Sequence, residues 1–335
     1  MLPKIPGERP RDLSQPLERV RLQVDQRLSG QRLDVALTTV LCWRSRTSIH
    51  RLIDAGRVHL QGRVATAARR VQLGELITVD VPPRPEPQPD PAAGVQFTIL
   101  YEDRWMVAVD KPAGLAVHPA GRRREGTLIH ALHRRYRRPG DPLHDVVPRL
   151  LHRIDVETSG VVVIGLDDEF QHLVGRQFED RQVHKTYVAV VHGRPDPASG
   201  AILLPIGPDR SSAVRLKQQA RRDGTGLPSR THYRTLRSNA RYSLVELQPE
   251  TGRTHQLRVH LAAIGCPLVG DKLYGVPDSV FFEQLAGRIG AENQERLVLG
   301  RHALHAQRLR LFHPLLGREL TLEAPLPADI AGLLD

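Results

Sequence analysis

The hydrophobic residues near the start of the chain recur at the spacing of a helix. Leu33, Leu37 and Leu41 lie four residues apart, and Ile49 and Ile53 repeat the same interval. Because residues four apart share one face of a helix, the pattern predicts two short amphipathic helices. Each helix needs a partner surface that covers its apolar face.

Short strands are predicted on either side of these helices. Residues 58–60 and 76–81 are apolar runs with β-branched side chains, and Gln61-Gly62 has the composition of a tight turn. Residues 20–24 alternate apolar and polar side chains, which favours an additional edge strand. The helices and strands together predict a small α+β domain.

The segment PPRPEPQPDPAAG, residues 82–94, separates two domains. Its alternating prolines favour an extended, semi-rigid spacer and exclude a packed element. The domain before it spans residues 18–81, and residues 1–17 are expected to be disordered. The domain after it, residues 95–330, mixes strand-like apolar runs with amphipathic helices and is also expected to be α+β.

The charge of the chain points to a polyanionic partner. The formal net charge is +11, from 48 Lys and Arg against 37 Asp and Glu. A charge of this sign attracts nucleic acid, whereas the plainer alternative is that it serves solubility alone. Nucleic acid is favoured because most of the positive residues are arginines, which pair with phosphates and stack on bases.

Cysteine and histidine placement argues against a disulfide framework or a metal site. Cys42 and Cys266 stand far apart and outside any CxxC spacing. The histidines show no HExxH-like pairing, and no Cys or carboxylate joins His152, His255 or His260 at ligand spacing. No apolar stretch has the length of a signal-peptide core or a membrane span, so we expect a cytosolic protein without a membrane partner.

Arginine is concentrated in the first domain. Within residues 32–70 arginines far outnumber the two acids, Asp34 and Asp54, and lysine is absent. Such a charge run is usually only a solvated helix face. The phrases GQRLDVAL, SIHRLIDAGRVHLQG and VQLGELITV, which predict two helices and then a small sheet, resemble the S-four RNA-binding domain named after a ribosomal protein. The resemblance implies RNA binding, with Arg46 and Arg51 as candidate contacts.

A candidate catalytic acid stands in HRIDVETSGVVVIGLD, which begins at residue 152. Asp155 precedes a predicted Thr158-Ser159-Gly160 turn that leads into the apolar strand 161–164. A loop at the end of a buried strand can hold a side chain within the small tolerance that catalysis requires. The alternative, which these residues alone favour, is that Asp155 caps the turn or forms a structural pair with Arg153.

Two further segments carry candidate site residues. Arg258 stands on the predicted helix of ETGRTHQLRVHLAAIG, beside the apolar residue Leu257. An arginine can keep a carboxylate ionised in a site that excludes water, although an arginine on a helix is ordinarily just solvated. Tyr187 stands on the predicted strand of KTYVAVVHG, where its ring could stack on a base, although a lone strand tyrosine is usually core.

Together these segments resemble the pseudouridine synthases of the ribosomal large-subunit type, the RluA-like family, in type, order and spacing. HRIDVETSG is similar to the catalytic loop of that family, FEDRQVHKTYVAVVHG to its tyrosine strand, and TGRTHQLRVHL with GDKLYG to its arginine helix. ILYEDRWMVAVDKPAGLAVHP and RHALHAQRLRLFHP resemble its opening and closing segments. The resemblance implies a catalytic domain built on a mixed, mainly antiparallel β-sheet flanked by helices.

The resemblance also implies a role for each candidate residue. Asp155 would be the essential carboxylate and Arg258 its ion-pair partner. Tyr187 would stack on the target uracil and is a candidate to take the C5 proton. Arg153 would fill the space that a flipped nucleotide leaves, since a uridine must leave the RNA stack to expose its glycosidic bond. Further candidate RNA contacts near the site are His152, Lys185, Arg253 and His255.

The implied reaction detaches uracil from the ribose C1′, turns the base and rejoins it through C5. Nothing is gained or lost overall, so no cofactor is expected. Asp155 could attack C1′ to form an ester or abstract a ribose proton to give a glycal, and the sequence leaves both routes open because both need an ionised carboxylate.

The expected partner is RNA, and the expected state of the protein is a monomer. Large-subunit ribosomal RNA is the first candidate substrate and transfer RNA the second. The alternative from another class is a non-catalytic RNA-binding or ribosome-assembly factor that has the same fold, because the charge and the first domain suit both functions.

Overall fold

The computed structural model describes residues 18–41, 46–81, 94–119, 125–138 and 145–335. The chain divides into two compact units, Met1–Gln88 and Pro89–Asp335. The expectation of disorder over residues 1–17 and that of a polyproline-like spacer over residues 82–93 lie outside the described residues, as does Cys42. No described helix combines the length and the apolar character that crossing a bilayer requires.

In its described residues, the first unit contains a four-stranded sheet and two helices. The sheet is antiparallel in the order β1-β4-β2-β3, so β1 lies at an edge as its alternating pattern predicts. The predicted helices and strands are confirmed, and β3 is an exposed two-residue strand that carries too little pattern to predict. The elements are β1 Glu18–Gln23, α1 Leu33–Val40, α2 Arg46–Asp54, β2 Val58–Leu60, β3 Arg63–Val64 and β4 Leu76–Val81.

The core of the first unit is the surface on which the helices meet the sheet. Leu33, Leu37 and Ile49 from the helices are fully inaccessible, and they belong to one cluster with Ile77 and Val79 from β4. Burial of one such side chain contributes about 1.5–3 kcal/mol. The helical spacing of apolar residues therefore marks the faces that the sheet covers.

The second unit is larger and mixes strands with short helices. Its strands are β5 Thr98–Glu102, β6 Met106–Lys111, β7 Arg149–Leu150, β8 Ser159–Gly165, β9 His184–His192, β10 Ser199–Ile202, β11 Ile206–Pro208, β12 Gln218–Ala220, β13 Thr231–Ser238, β14 Tyr242–Pro249, β15 Leu304–His313 and β16 Arg318–Glu323. Its helices are α3 Leu128–Tyr136, α4 Asp168–Glu179, α5 Gln256–Ala263, α6 Asp278–Leu285, α7 Ala291–Leu297 and α8 Ala328–Ala331, and a 3₁₀ turn follows at Gly332–Leu334.

Ten of these strands form one sheet. Eight follow the order β10-β13-β14-β9-β15-β8-β6-β5, while β16 pairs with β15 and β7 with β8. The β8–β15 pair is parallel, and the other named pairs are antiparallel. The strands β11 and β12 form a separate ribbon. The α+β class with a mixed, mainly antiparallel sheet is confirmed.

Strand β8 lies at the centre of the second unit and is buried on both faces. Val161 and Val163 pack into one apolar cluster, and Val162 and Ile164 pack into another. Because successive side chains of a strand point to opposite faces, a continuous apolar run is what a strand covered on both sides requires. The loop that carries Asp155 therefore leads into a strand of which every residue is buried.

The predicted turn before β8 is wrong by two residues. The turn lies at Val156 and Glu157, and Ser159 and Gly160 already belong to β8. Gly160 has a φ of +111°, and a Cβ at this position would collide with the backbone carbonyl of Ala306 on β15. Thr-Ser-Gly has the composition of a turn, but here the glycine serves the close parallel approach of two strands.

Candidate active site

One cleft in the second unit brings the three predicted catalytic residues together. It has a volume of about 520 Å³ and is lined by the loop before β8, by β9 and by the segment that leads into α5. Asp155 comes from the loop, Tyr187 from β9 and Arg258 from α5. The topology of the sheet thus places three distant segments of the chain around one site.

Arg258 binds two carboxylates at once. Its Nη1 donates to Asp155 Oδ2 at 3.0 Å, while its Nε and Nη2 donate to the two carboxylate oxygens of Asp271 at 2.8 Å each. Asp271 Oδ1 also accepts hydrogen bonds from the backbone N–H groups of Leu273 and Tyr274. The Asp271 side chain is fully buried, so it fixes the plane of the guanidinium that meets Asp155.

Arg258 also controls the charge of Asp155, whose side chain remains 26% exposed. Burial acts to raise the pKa of Asp155, but the charge and the hydrogen bond of Arg258, together with the nearby His255 and His302, more than offset it, and the pKa lies below its ordinary value. The same competition holds the pKa of Asp271 well below its usual range. Asp155 is therefore an ionised carboxylate at neutral pH that opens onto the cleft.

The Tyr187 ring lies half-buried on β9 and lines the same cleft. It packs against apolar residues of two neighbouring clusters. Burial raises the pKa of Tyr187 above its ordinary value, and the negative charge of Asp155 raises it further. The ring is therefore neutral at physiological pH and offers a stacking surface with a polar end.

His255, just before α5, has an unusual backbone and a defined tautomer. Its φ of 57° and ψ of 19° are left-handed, which is uncommon for a residue other than glycine and is found at functional sites. The Tyr274 hydroxyl accepts from the backbone N–H of Gln218 at 3.0 Å and lies 2.9 Å from His255 Nδ1. Burial and the charge of Arg258 lower the pKa of His255 to about 4, so the ring is neutral. We assign Tyr274 as the donor to Nδ1, because its hydroxyl already accepts from Gln218, and this assignment leaves the ring proton on Nε2.

The end of β6 and the segment that follows it hold one side of the loop that carries Asp155. The fully buried Lys111 ammonium donates to the carbonyl of Val156 at 3.1 Å and to those of Pro112 and Leu115. The backbone N–H of Gly114 donates to the same Val156 carbonyl at 2.8 Å. The residue after Asp155 is thus fixed by two donors.

The other side of the loop is held through Glu157. Its Oε1 accepts from Lys272 Nζ at 2.7 Å and from Gln284 Nε2 at 2.9 Å, and its Oε2 accepts from the backbone N–H of His302 at 3.1 Å. His302 Nε2 lies 2.7 Å from the hydroxyl of Thr158. These contacts tie the loop to α6 and to the segment before β15.

Asp271, Tyr274, Lys111 and Glu157 were not among the predicted site residues. The first two lie in GDKLYG and the third in the DKPAG part of the opening segment, so the quoted motifs already contained these residues without indicating their roles. The partners that join these residues to the site could not be read from the motifs, because contacts such as Lys111 to Val156 and Asp271 to Arg258 cross to another segment.

The predicted RNA contacts of the second unit all lie on the cleft wall, with different surroundings. Arg153 is exposed, and Lys185 and Arg253 are half-buried. Burial lowers the pKa of Lys185 from its ordinary value. His152 is committed elsewhere, because its Nε2 accepts the backbone N–H of Val163 at 3.0 Å. Burial lowers the pKa of His152 to about 3, which keeps that acceptor unprotonated.

The predicted RNA contacts of the first unit, Arg46 and Arg51, are exposed on α2. Arg46 forms an ion pair with Asp34 at 2.8 Å. The sequence has further Arg-rich residues outside the first unit: residues 133–138 contain the end of α3, and residues 122–124 lie outside the described part of the chain. Within the residues that the structure describes, no group of three or more His, Cys, Asp or Glu side chains is arranged to hold a metal ion.

Comparison with known proteins gives matches for both units. A family model described as RNA pseudouridylate synthase matches residues 105–263, and a model of the S4 domain, the S-four domain named above, matches residues 31–77. The chain is 37% identical over 319 residues to ribosomal large subunit pseudouridine synthase D of Nitrosomonas europaea, covering 94% of this chain and 87% of that one.

Two further matches extend the comparison. An uncharacterized RNA pseudouridine synthase of Chloroflexus aurantiacus is 38% identical, with 98% of this chain and 96% of that one covered. The solved structure of human RNA pseudouridylate synthase domain containing 4 aligns with a TM-score of 0.53 at 31% identity, covering 70% of this chain and 90% of that one.

Proposed function

Because this chain belongs to the RNA pseudouridylate synthase family and is a pseudouridine synthase, we propose that it isomerises specific uridines of large-subunit ribosomal RNA, with Asp155 as the catalytic carboxylate. The observation that carries the proposal is the ion pair between Asp155 and Arg258 inside a cleft that Tyr187 also lines. A carboxylate that only stabilised the fold would have no need to face an open, basic cleft.

Asp155 acts on the ribose of the target uridine. In the ester route its carboxylate attacks C1′ as the bond from C1′ to N1 of uracil breaks, and the bonding pair leaves with the base. In the glycal route it removes a ribose proton instead. In both routes the base turns and C5 forms the new bond to C1′. In the first route the ester bond breaks and frees the Asp155 carboxylate, and in the second the ribose regains the proton it lost. The C5 proton is then lost while N1 gains one. Both begin from the ionised carboxylate that Arg258 maintains.

The cleft accepts a nucleotide that has left the RNA stack. Removing a base from the stack costs a few kcal/mol, so the enzyme must recover that energy from contacts with the flipped base and with the RNA that remains. Tyr187 stacks on the flipped uracil, and the exposed Arg153 occupies the space that it vacates. Lys185, Arg253 and His255 contact the surrounding RNA.

The first unit adds affinity for RNA. Its S-four fold and its exposed arginines favour contacts with the phosphate backbone, which position an RNA without reading its sequence. The similarity to ribosomal large subunit pseudouridine synthases, such as that of Nitrosomonas europaea, favours large-subunit ribosomal RNA over transfer RNA as the substrate. The protein acts as a cytoplasmic monomer in this proposal.

Pseudouridine mapping of total RNA tests the proposal directly. Cells that lack the protein are complemented with the natural chain, with Asp155→Asn, or with Glu319→Gln, which removes an exposed carboxylate from β16. We expect specific large-subunit sites to disappear and to return with the natural chain and Glu319→Gln but not with Asp155→Asn.

Two other outcomes contradict parts of the proposal. Sites lost from transfer RNA alone would move the substrate to transfer RNA. Restoration by Asp155→Asn, at a protein level equal to that of the natural chain, would remove Asp155 from the mechanism.

A further inference from the structure

The first unit contains a buried carboxylate that two arginines and a histidine surround. Asp34 lies in the first turn of α1, and its side chain is completely inaccessible. Arg32, just before α1, donates to both of its oxygens, at 3.0 and 3.3 Å. Arg46, the first residue of α2, donates to Oδ2 through Nε and Nη2 at 3.1 and 2.8 Å. His50 Nε2 lies 2.9 Å from the same oxygen.

Burying a carboxylate costs free energy, and a small domain can fold without a buried ion pair. Burial alone would raise the pKa of Asp34, but the hydrogen bonds from Arg32, Arg46 and His50 and the charge of Arg32 hold that pKa well below its ordinary value. Apolar residues of similar size often replace a buried ion pair without loss of stability. The cluster is therefore better explained by what it does to the two arginines than by a contribution to folding.

The arginines stay accessible although the carboxylate does not. The Arg32 side chain is 43% exposed and the Arg46 side chain 58%, while Asp34 is at 0%. They begin different helices, and one buried anion holds both guanidinium groups. Two guanidinium charges against one carboxylate leave a net positive charge at the surface, where a planar fork of N–H donors suits a phosphate.

We propose that Asp34 is a positioning residue that holds Arg32 and Arg46 as a fixed pair for one phosphate of the RNA backbone. Without Asp34 each long side chain would have to be ordered when RNA binds, at a cost in conformational entropy. The proposal rests on the proposed RNA-binding role of the first unit and specifies which of its arginines act together.

The sign of one substitution separates this role from simple electrostatics. Asp34→Asn raises the net charge by one, which by charge alone strengthens binding to RNA. If Asp34 positions the pair, the same substitution weakens binding. Asp54→Asn is the matched control, because Asp54 is an exposed acid at the end of α2 and its loss changes the net charge equally.

The experiment titrates the full-length variants with a fluorescein-labelled RNA stem-loop over a range of salt concentrations. We expect Asp54→Asn to bind as tightly as the natural chain or more tightly. We expect Asp34→Asn to bind about three- to tenfold more weakly, with a salt slope that is shallower by about one phosphate contact. Equal or tighter binding by Asp34→Asn would overturn the proposal.

A double variant separates the loss of the arginine pair from the change in net charge. Arg46→Gln with Asp34→Asn restores the net charge of the natural chain. We expect the double variant to bind no better than Arg46→Gln alone, because both changes break the same pair. Recovery of natural affinity would mean that charge alone matters.

Thermal melts of each variant show which proteins are folded at the temperature of the titration.

The failure of this inference differs from the failure of the proposed function. A natural chain that binds the stem-loop but makes no pseudouridine in cellular RNA would contradict the function and leave the role of Asp34 unaffected.

Discussion

Arg258 gives Asp155 the one guanidinium nitrogen that Asp271 does not use. Asp271 takes Nε and Nη2, and Asp155 takes Nη1 at 3.0 Å. Two carboxylates therefore share one guanidinium group, and each of them binds different nitrogens. The fully buried Asp271 receives the bidentate contact that fixes the guanidinium plane, while the partly exposed Asp155 receives a single contact through Oδ2.

Arg258→Lys should separate charge from geometry. A lysine keeps the positive charge but cannot donate to both carboxylates with a planar fork. We expect the rate of pseudouridine formation under single-turnover conditions to fall about 100-fold, because a small misplacement of a catalytic group has an effect of that size. RNA affinity should change little.

Arg176→Lys is the matched control for this substitution. Arg176 is exposed on α4 and does not line the cleft, so its replacement should leave the rate within about twofold of the natural value. Equal rates for Arg258→Lys and the natural chain would show that the positive charge alone supports Asp155.

The activity should show no carboxylate titration near neutral pH. Because Arg258 holds the pKa of Asp155 below its ordinary value of about 3.9, the charged form persists at every pH above that value and is lost only as the pH falls through the lower folded pKa. The neutral His255 and His302, each with a pKa of about 4, do not titrate in this range either.

Single-turnover rates between about pH 5 and pH 8 should therefore be flat, with circular dichroism at each pH confirming that the protein is folded. A rate that rises severalfold between about pH 5 and pH 7 would mean that burial outweighs Arg258 and that Asp155 is partly protonated.

The sequence predicted which residues meet in this cleft better than it predicted the residues that support them. Asp155, Tyr187 and Arg258 stand in motifs that fix their local structure, so each could be found within its own segment. Asp271 and Glu157 matter through contacts that cross from one segment to another. The Glu157 to Lys272 ion pair joins residues 115 positions apart. Such pairs follow from the strand order, which hydrophobic periodicity does not determine.

In the first unit too, the sequence predicted the helices and strands but not which charged side chains meet. Its helices and strands followed from the spacing of apolar residues, because a small sheet covered by two helices leaves few alternatives. The basic face of this unit was predicted from the number of its arginines. Asp34 entered that count only as one of two opposing charges. The structure places Asp34 beneath Arg32 and Arg46, and composition alone cannot show which charges meet.

Two glycine substitutions should change stability in opposite directions. Gly160→Ala places a methyl group against the Ala306 carbonyl at a φ of +111°, so we expect it to lower the free energy of unfolding by about 2–4 kcal/mol. Gly175→Ala lies inside α4 with open space around the new Cβ and should raise it by about 0.5–1 kcal/mol.

Urea denaturation of both variants measures these changes. A neutral Gly160→Ala would mean that β8 and β15 can separate without loss, which would contradict the close parallel pairing. A destabilising Gly175→Ala would point to crowding that the surroundings of α4 do not show.

Substitutions of His255 should separate its structural contact from its contact with the substrate. Asparagine places its amide near the position of Nδ1, where it can keep the hydrogen bond to Tyr274, and it tolerates the left-handed backbone well. Glutamine tolerates that backbone less well, but its amide reaches the position of Nε2. The neutral tautomer leaves the proton on Nε2, and we expect this N–H to donate to the RNA in the cleft.

The two variants should therefore rank in opposite orders. We expect His255→Asn to melt at the higher temperature and His255→Gln to retain the higher kcat/KM for pseudouridine formation. If His255→Asn is superior in both measurements, the ring acts only through Tyr274 and the backbone. If His255→Gln melts higher as well, the left-handed backbone is not what limits the choice of residue, and the strain at this position is absorbed by its surroundings.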